Sequence, residues 1–231
     1  MLNIVKNTTF VGPFDLLAPH SCRGCGHIGN AFCDCCKNNI IFEHENYCPN
    51  CKKLNPTGKC SHCKTLPPIF VAGSRQEILG NLIHDYKYHS VRALAFPLAD
   101  ILNGILPHID GEVIIVPLPT INRHIRTRAL DHTYLIAKHL KKLRGKNYRL
   151  EKLLLRENNT VQVGANEKDR IEQASHAYKI NQNLKIDSSK TYLLLDDVWT
   201  TGASMKSAVK KLRQAGAEKI IISILVVNRL N

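Results

Sequence analysis

Two hydrophobic patterns alternate along most of the chain. Apolar residues recur at helical spacing in four segments, namely 78–86, 94–105, 129–143 and 204–214. Continuous apolar runs, which are typical of strands buried on both faces, lie at 113–119, 192–195 and 220–227. Strands that alternate with helices predict an α/β domain in which a parallel sheet is flanked by helices.

The segment before this domain has a different character. Residues 22 to about 66 are rich in Cys, Asn, Gly and Lys and contain few apolar residues. Such a stretch cannot build a hydrophobic core of its own and needs a cross-link, such as a disulfide or a bound metal, to stabilise its fold. We therefore predict two units, a small amino-terminal Cys-rich module at 1–68 and an α/β domain at 69–231.

All nine cysteines lie in this module, and eight of them form four Cys-x-x-Cys pairs. The pairs are Cys22 and Cys25, Cys33 and Cys36, Cys48 and Cys51, and Cys60 and Cys63. Two such pairs complete a tetrahedral Cys₄ site, which is typical of structural Zn²⁺, so we expect two zinc ions. The simplest pairing is sequential, but spacing alone leaves a crossed pairing open. Cys35 is the spare cysteine, and it is close enough in sequence to replace Cys33.

Charge and composition narrow the class of protein. The 231 residues carry a formal net charge of +13, and 44% of them are hydrophobic. This composition is that of a folded protein, and its basic excess favours a polyanionic partner. No apolar run approaches the ~18–20 residues of a membrane span, and the first residues lack the pattern of a secretory signal. We therefore expect a cytoplasmic protein without a transmembrane segment.

A candidate phosphate site follows the apolar run at 192–195. Asp196 and Asp197 end this predicted strand, a turn of small and hydroxyl residues follows, and a helix is predicted from Ser204. The amides of such a turn and the helix N-terminus bind phosphate, and Gly202 allows a close approach of the backbone. The two carboxylates suit sugar hydroxyls or a bound Mg²⁺. Trp199 either stacks on the ligand or packs over the turn.

Residues 192–205 resemble the phosphoribosyl-pyrophosphate (PRPP) signature of type I phosphoribosyltransferases. The signature has four apolar residues, two acids, an apolar residue and a variable one, followed by Thr-Gly-Ala-Ser. The wider chain resembles the ComF family, which comprises phosphoribosyltransferase-like proteins associated with natural competence. The Cys-x-x-Cys pairs carry this match, together with Lys87-Tyr88 after a helix and Val116-Pro-Leu-Pro119 before spaced arginines.

The resemblance implies a type I phosphoribosyltransferase-like fold that binds PRPP or a similar phosphosugar. Asp196 and Asp197 would hold the ribose hydroxyls directly or through Mg²⁺. The residues implied to hold the 5′-phosphate are Thr200, Thr201, Gly202, Ala203 and Ser204. Thr120 and Arg123 fall in the implied pyrophosphate loop, and Lys87 is a further anion contact. Arg170 falls in an implied mobile loop and is, with the two aspartates, an implied catalytic residue.

A basic stretch follows the implied pyrophosphate loop. Residues 123–156 contain eleven Lys or Arg and two acids, so their local charge is +9. The cations beyond that loop predict a track for single-stranded nucleic acid, formed by Lys138, Lys141, Lys142, Arg144, Lys146 and Arg149. A solvated basic helix end is the alternative interpretation.

Three functions remain open at this point. The first is a ComF-like PRPP-binding protein that handles single-stranded DNA during DNA uptake, with other competence proteins at the inner membrane as possible partners. The second is an active phosphoribosyltransferase with a nucleobase-like acceptor, and the third is a PRPP-sensing adaptor without turnover. The chain departs from the family pattern at His132 and Ser175, where a polar amide and an arginine are usual. No acceptor nucleophile is therefore predicted, and enzymatic activity stays undetermined.

Overall fold

A five-stranded parallel sheet forms the centre of the protein. The computed structural model describes residues 20–63, 66–89, 91–120, 131–157 and 177–228. The sheet contains β3 (Ile69–Ser74), β4 (Val113–Pro117), β5 (Tyr148–Leu150), β8 (Thr191–Trp199) and β9 (Lys219–Val227). Their order is β3-β9-β8-β4-β5, and every neighbouring pair is parallel. The expected α/β class with a parallel sheet is therefore confirmed.

Helices cover the sheet because its strands are apolar on both faces. The helices are α1 (Asp34–Phe42), α2 (Ile78–Tyr88), α3 (Ala95–Ile105), α4 (His132–Arg144) and α5 (Ala203–Gln214), with a 3₁₀ turn at Arg92–Leu94. Buried residues of α2, α3 and α4 share one core with one face of the sheet. Buried residues of α5 share the other core with an antiparallel pair, β6 (Leu154–Arg156) and β7 (Tyr178–Ile180).

The strand order creates a crevice between β4 and β8. The chain leaves β4 through α4 and returns in β5 on one side, whereas it leaves β8 through α5 and returns in β9 on the other. Two neighbouring parallel strands whose connections diverge leave a gap beyond their carboxyl ends, where ligands bind in open α/β sheets. We call the two ends of the sheet the carboxyl edge and the amino edge, after the strand ends found there.

The Cys-rich segment packs directly against the sheet's helical layer. It contains α1 and a small antiparallel pair, β1 (His20–Ser21) and β2 (Ile28–Gly29). Phe32 is buried in the same core as α2 and α3, and α1 lies against α3. Asn46 covers the edge strand β3, because its amide accepts from Val71 N–H at 2.9 Å and donates to Ile69 O at 2.9 Å. One side chain thus satisfies backbone groups that an edge strand would otherwise expose.

The structure differs from the sequence expectation in its shorter elements. Strands β3, β5, β6 and β7 were not predicted, because runs of three to six residues carry little periodicity. Helix α4 begins at His132, later than the expected 129, because Asp131 caps it by accepting from Tyr134 N–H. Within the described residues, no helix combines the length and apolar character needed to cross a membrane.

Candidate functional site

The eight paired cysteines form two clusters. Cys22, Cys25, Cys33 and Cys36 make the first, and Cys48, Cys51, Cys60 and Cys63 make the second. The sulfurs of each cluster lie within 4.8 Å of one another, so the pairing is sequential and the crossed alternative is excluded. Cys35 is exposed and stands outside the first cluster. None of the nine cysteines forms a disulfide.

The geometry of both clusters suits a tetrahedral metal. Cys25 and Cys33 sulfurs lie 3.7 Å apart, and Cys51 and Cys60 sulfurs 3.5 Å apart. Four sulfurs at ~2.3 Å from a tetrahedral zinc ion lie about 3.8 Å apart. Burial opposes ionisation of the Cys22 thiol, but hydrogen bonds from the N–H groups of Cys25, Cys33 and Gly24, the last two at 3.3 Å, lower the pKa of that thiol to about 6.

The close packing of four sulfurs in each cluster is poorly explained by protonated thiols alone. Burial raises the pKa of the Cys48 thiol to about 12 and also raises the pKa of Cys36, and the neighbouring sulfurs add to both effects. Four thiolates packed this closely repel one another unless a cation compensates them. A divalent ion that prefers sulfur supplies that charge.

The two predicted aspartates lie near the carboxyl end of β8, two residues before the strand ends at Trp199. Asp197 is buried, and its Oδ2 atom lies 2.7 Å from the Lys87 ammonium, which α2 brings across the edge of the sheet. Asp196 is half-buried, and its carboxylate accepts from the Asp197 N–H at 2.9 Å. Burial and the charge of Asp197 raise the pKa of Asp196 to about 7, although Lys87 opposes this rise.

The turn between β8 and α5 exposes its hydroxyl residues. Thr200 and Thr201 are exposed, and the Thr201 hydroxyl accepts from the N–H of Ala203, the first residue of α5. Gly202 has a φ of 73°, and a Cβ at this position would collide with the Trp199 ring. Trp199 is 2% exposed, so it packs against the turn and does not present a face to a ligand. Of the two roles considered for Trp199, the structure supports packing.

A cavity of about 160 Å³ lies beside the two aspartates. Lys87, Thr120 and Ser204 line it, so the structure brings these three predicted residues together with Asp196 and Asp197. The Thr120 hydroxyl donates to Asp131 at 3.4 Å. Gly202 and Ala203 lie in the adjacent turn. Arg123 and Arg170, with the rest of the implied pyrophosphate loop and mobile loop, lie outside the described residues.

Three further residues of this cavity were not assigned to it from sequence. Arg156 on β6 and Tyr178 on β7 also line it, and the Tyr178 hydroxyl hydrogen-bonds with Ser204 and Arg156. Burial, with the charge of Asp196, raises the pKa of Tyr178. His132 is buried at the start of α4, and its ring stacks edge-on with Tyr86. The strands β6 and β7 are too short to be recognised by pattern, so no local signal identified their side chains.

Five of the six predicted nucleic-acid residues lie at the amino edge, and Lys138 lies in the middle of α4. Val113 at the start of β4 donates its N–H to Asn147 O, which places the end of α4 and the start of β5 there. Asp196 and Asp197 are five and six residues from Thr191, the first residue of β8, so at ~3.3 Å per residue they lie about 17–20 Å from this edge along the strand. Five of the six are exposed, namely Lys138, Lys141, Lys142, Lys146 and Arg149, and Arg144 is half-buried.

The two arginines of this set have partners within the fold. Arg144 donates to the carbonyls of Asn103, Leu106 and Pro107 at 2.7–2.9 Å, which caps the end of α3. Arg149 lies 3.5 Å from Glu112, which also pairs with Lys190 at 3.0 Å. The exposed lysines therefore make up the cations that remain available to an external anion at this end of α4.

Comparison of the chain with models of protein families and with curated proteins finds no match. The function must therefore be inferred from the residues at the two edges of the sheet and from the cysteine clusters.

Proposed function

We propose that the protein is a ComF-like phosphosugar-binding protein that takes PRPP or a similar ligand at the carboxyl edge and handles single-stranded DNA during DNA uptake. The observation that carries this proposal is the placement of Asp196 and Asp197. They lie near the carboxyl end of a central strand, at the crevice between diverging connections and close to a hydroxyl-rich turn and a helix N-terminus. Carboxylates beside a phosphate cradle match a ligand that has both vicinal hydroxyls and a phosphate.

Each half of such a ligand has suitable partners. The carboxylates of Asp196 and Asp197 accept hydrogen bonds from the two ribose hydroxyls. The amides and hydroxyls from Thr200 to Ser204 donate to the 5′-phosphate, and the N-terminus of α5 adds a favourable partial charge. Lys87 and Arg156 line the same cavity and contribute the positive charge that a second phosphate group needs.

In this proposal, Mg²⁺ binds at the site only in complex with the phosphosugar. Asp196 and Asp197 belong to no cluster of three or more metal-binding side chains among the described residues. Mg²⁺ usually binds one or two protein carboxylates and takes its other oxygens from water and substrate phosphates. These two aspartates fit that role, and the ion would neutralise phosphate charge in the complex.

We propose Zn²⁺ as the metal of both Cys₄ clusters. Cys25→Ser should reduce the zinc content from two ions per chain to one, because three remaining thiolates do not complete a tetrahedral site. Cys35→Ser is the matched control and should leave two ions, since Cys35 lies outside the cluster. Zinc is measured by mass spectrometry under native conditions. Equal zinc loss in both variants would contradict the assignment of ligands.

Calorimetry with PRPP and Mg²⁺ tests the phosphosugar site. The wild-type chain should bind one PRPP, and the variant carrying Asp196→Asn and Asp197→Asn should bind it at least about tenfold more weakly, a loss of ~1.4 kcal/mol. Asp110→Asn is the control, because Asp110 is fully exposed at the amino edge. Absence of binding to the wild type would refute the proposal. Pyrophosphate release with a panel of nucleobases distinguishes a transferase from a binding protein or sensor.

Fluorescence anisotropy with a single-stranded oligonucleotide tests the second part of the proposal. The exposed lysines at the end of α4 favour contacts with phosphates, so binding should weaken steeply as salt is added. The variant with both aspartates replaced should bind the oligonucleotide as the wild type does, because the aspartates lie about 17–20 Å along β8 from the amino edge. No binding at low salt would remove DNA handling from the proposed function.

A further inference from the structure

A third group of metal-binding side chains lies outside both cysteine clusters. His84 and Asp85 belong to the last turns of α2, and His89 caps that helix. Their donor atoms lie within 4.8 Å of one another. The Asp85 Oδ1 atom is 3.0 Å from His89 Nδ1 and 3.9 Å from His84 Nδ1, so both imidazoles face the same carboxylate oxygen.

The carboxylate of this group is fixed from its other side. Arg23, which lies between two cysteines of the first cluster, places its Nε atom 2.9 Å from Asp85 Oδ2. A carboxylate held this way keeps Oδ1 turned towards the two histidines, which is the role that outer hydrogen-bond partners have in metal sites. The geometry is thus set by two elements, α2 and the Cys-rich segment.

The group is open to solvent on the histidine side. The side chains of His84 and His89 are 56% and 61% exposed, whereas Asp85 is 21% exposed. Three protein donors leave at least one coordination position of a four- to six-coordinate ion for water or an external ligand. Two imidazoles with one carboxylate suit first-row transition ions and disfavour Mg²⁺ and Ca²⁺, which prefer oxygen donors only.

We propose that His84, Asp85 and His89 form an exchangeable site for a divalent transition ion such as Zn²⁺ or Ni²⁺. This site is distinct from the Cys₄ clusters in its ligands and in its open coordination. It also differs from the other exposed His–Asp pair, His108 and Asp110, which lie 3.2 Å apart at the amino edge but have no third ligand among the described residues. That pair provides an internal control.

Calorimetry with Ni²⁺ tests the proposal on the full chain, with both Cys₄ clusters loaded with zinc and any affinity tag removed. The wild type should bind one further Ni²⁺ ion per chain. His84→Ala and His89→Ala should each weaken that binding at least about tenfold, which is the smallest effect usually seen even for an outer-shell partner. His108→Ala should leave the affinity unchanged. His84 and His89 are exposed, and circular dichroism should show their variants and His108→Ala folded like the wild type.

Three results would overturn the proposal. The first is no further Ni²⁺ ion bound by the wild type, and the second is binding that survives both His84→Ala and His89→Ala. The third is equal weakening by His108→Ala, which would indicate adventitious binding by any surface histidine. None of these outcomes depends on whether PRPP binds at the carboxyl edge.

Discussion

Charged side chains are arranged differently at the two edges of the sheet. At the carboxyl edge, Asp197 is buried against Lys87 and the neighbouring carboxyl of Asp196 has a pKa of about 7. At the amino edge, Lys141, Lys142 and Lys146 stand exposed, and Lys138 is exposed about one turn earlier on α4. The first arrangement is compact and surrounds a cavity, whereas the second is an open basic surface. A small ligand with defined hydroxyls and phosphates fits the former, and a flexible polyanion fits the latter.

The comparison also divides the basic stretch that stands out in the sequence. Arg144 caps α3 and Arg149 pairs with Glu112, so these arginines contribute to the fold at the amino edge. Arg156, from the same stretch, lies at the carboxyl edge beside Asp196. The described cations of this stretch therefore have three roles. Arg144 and Arg149 contact other parts of the fold, Arg156 lines the cavity, and the exposed lysines remain available to an external anion.

The largest expected effect on stability is at the turn of the carboxyl edge. Gly202→Ala should lower the free energy of unfolding by about 3 kcal/mol, because it combines a left-handed backbone with a collision against the buried Trp199 ring. Gly111→Ala is the control, with a φ of 79° and open space around a Cβ, and should cost only about 1 kcal/mol. Urea denaturation measures both. Equal losses would show that Trp199 does not support the turn.

A smaller loss is expected at the amino edge. Arg144→Gln removes charged donors from three carbonyls at the end of α3 and should lower the free energy of unfolding by about 2 kcal/mol. Lys146→Gln should change it by less than ~0.5 kcal/mol, since Lys146 is exposed. If the two variants were destabilised equally, Arg144 would belong with the free cations and the division drawn above would be wrong.

The third effect is a gain, and it depends on pH. The pKa of Asp196 is raised to about 7 in the folded protein from an ordinary value of 3.8, so the folded state binds more protons than the unfolded state between these values. Stability contributed by this group therefore falls as the pH rises from about 4 to about 7. Asp196→Asn should remove this fall and stabilise the free protein by about 1 kcal/mol at pH 8.

Thermal unfolding at pH 5 and pH 8 checks this prediction, with Asp110→Asn as the exposed control. A loss of stability at pH 8 in Asp196→Asn would mean that the ionised carboxylate is favourable in the fold. A gain would show that the carboxyl edge retains a costly charge for ligand binding, which the amino edge does not.

The smallest effect on stability belongs to the free lysines. Replacing Lys138, Lys141, Lys142 and Lys146 together by Gln should leave the unfolding curve nearly unchanged. The dependence of log K for single-stranded DNA on log salt should become shallower by about 0.7 for each phosphate that the variant no longer neutralises. Lys185→Gln, an exposed lysine outside the set, is the control. An unchanged slope would mean that DNA binds elsewhere on the protein.

The long elements could be predicted from sequence because each carries its own hydrophobic signal. The central strands β4, β8 and β9 are five to nine residues long and are dominated by apolar residues, and both α3 and α5 show helical spacing. The cysteine clusters could be predicted because Cys-x-x-Cys spacing is a local property. Their sequential pairing was the simplest hypothesis, and the structure confirms it.

The remaining features depend on contacts between distant parts of the chain. The approach of Lys87 to Asp197 requires α2 to cross the carboxyl edge, and the arrival of Arg156 and Tyr178 requires the pairing of two three-residue strands. The capping role of Arg144 depends on the packing of α4 against α3. Neither periodicity nor motif spacing contains this information, so the sequence indicated the aspartates and the turn but not the contribution of Arg156 and Tyr178 to the cavity.

The most direct test of the account is the affinity for PRPP with and without single-stranded DNA. Calorimetry with PRPP and Mg²⁺ is carried out on the wild-type chain alone and again with a saturating single-stranded oligonucleotide. If the ligands occupy opposite edges of the sheet, PRPP should bind in both titrations with affinities that agree within about twofold. Failure of PRPP to bind the free protein, or a tenfold loss of its affinity when DNA is bound, would contradict the account.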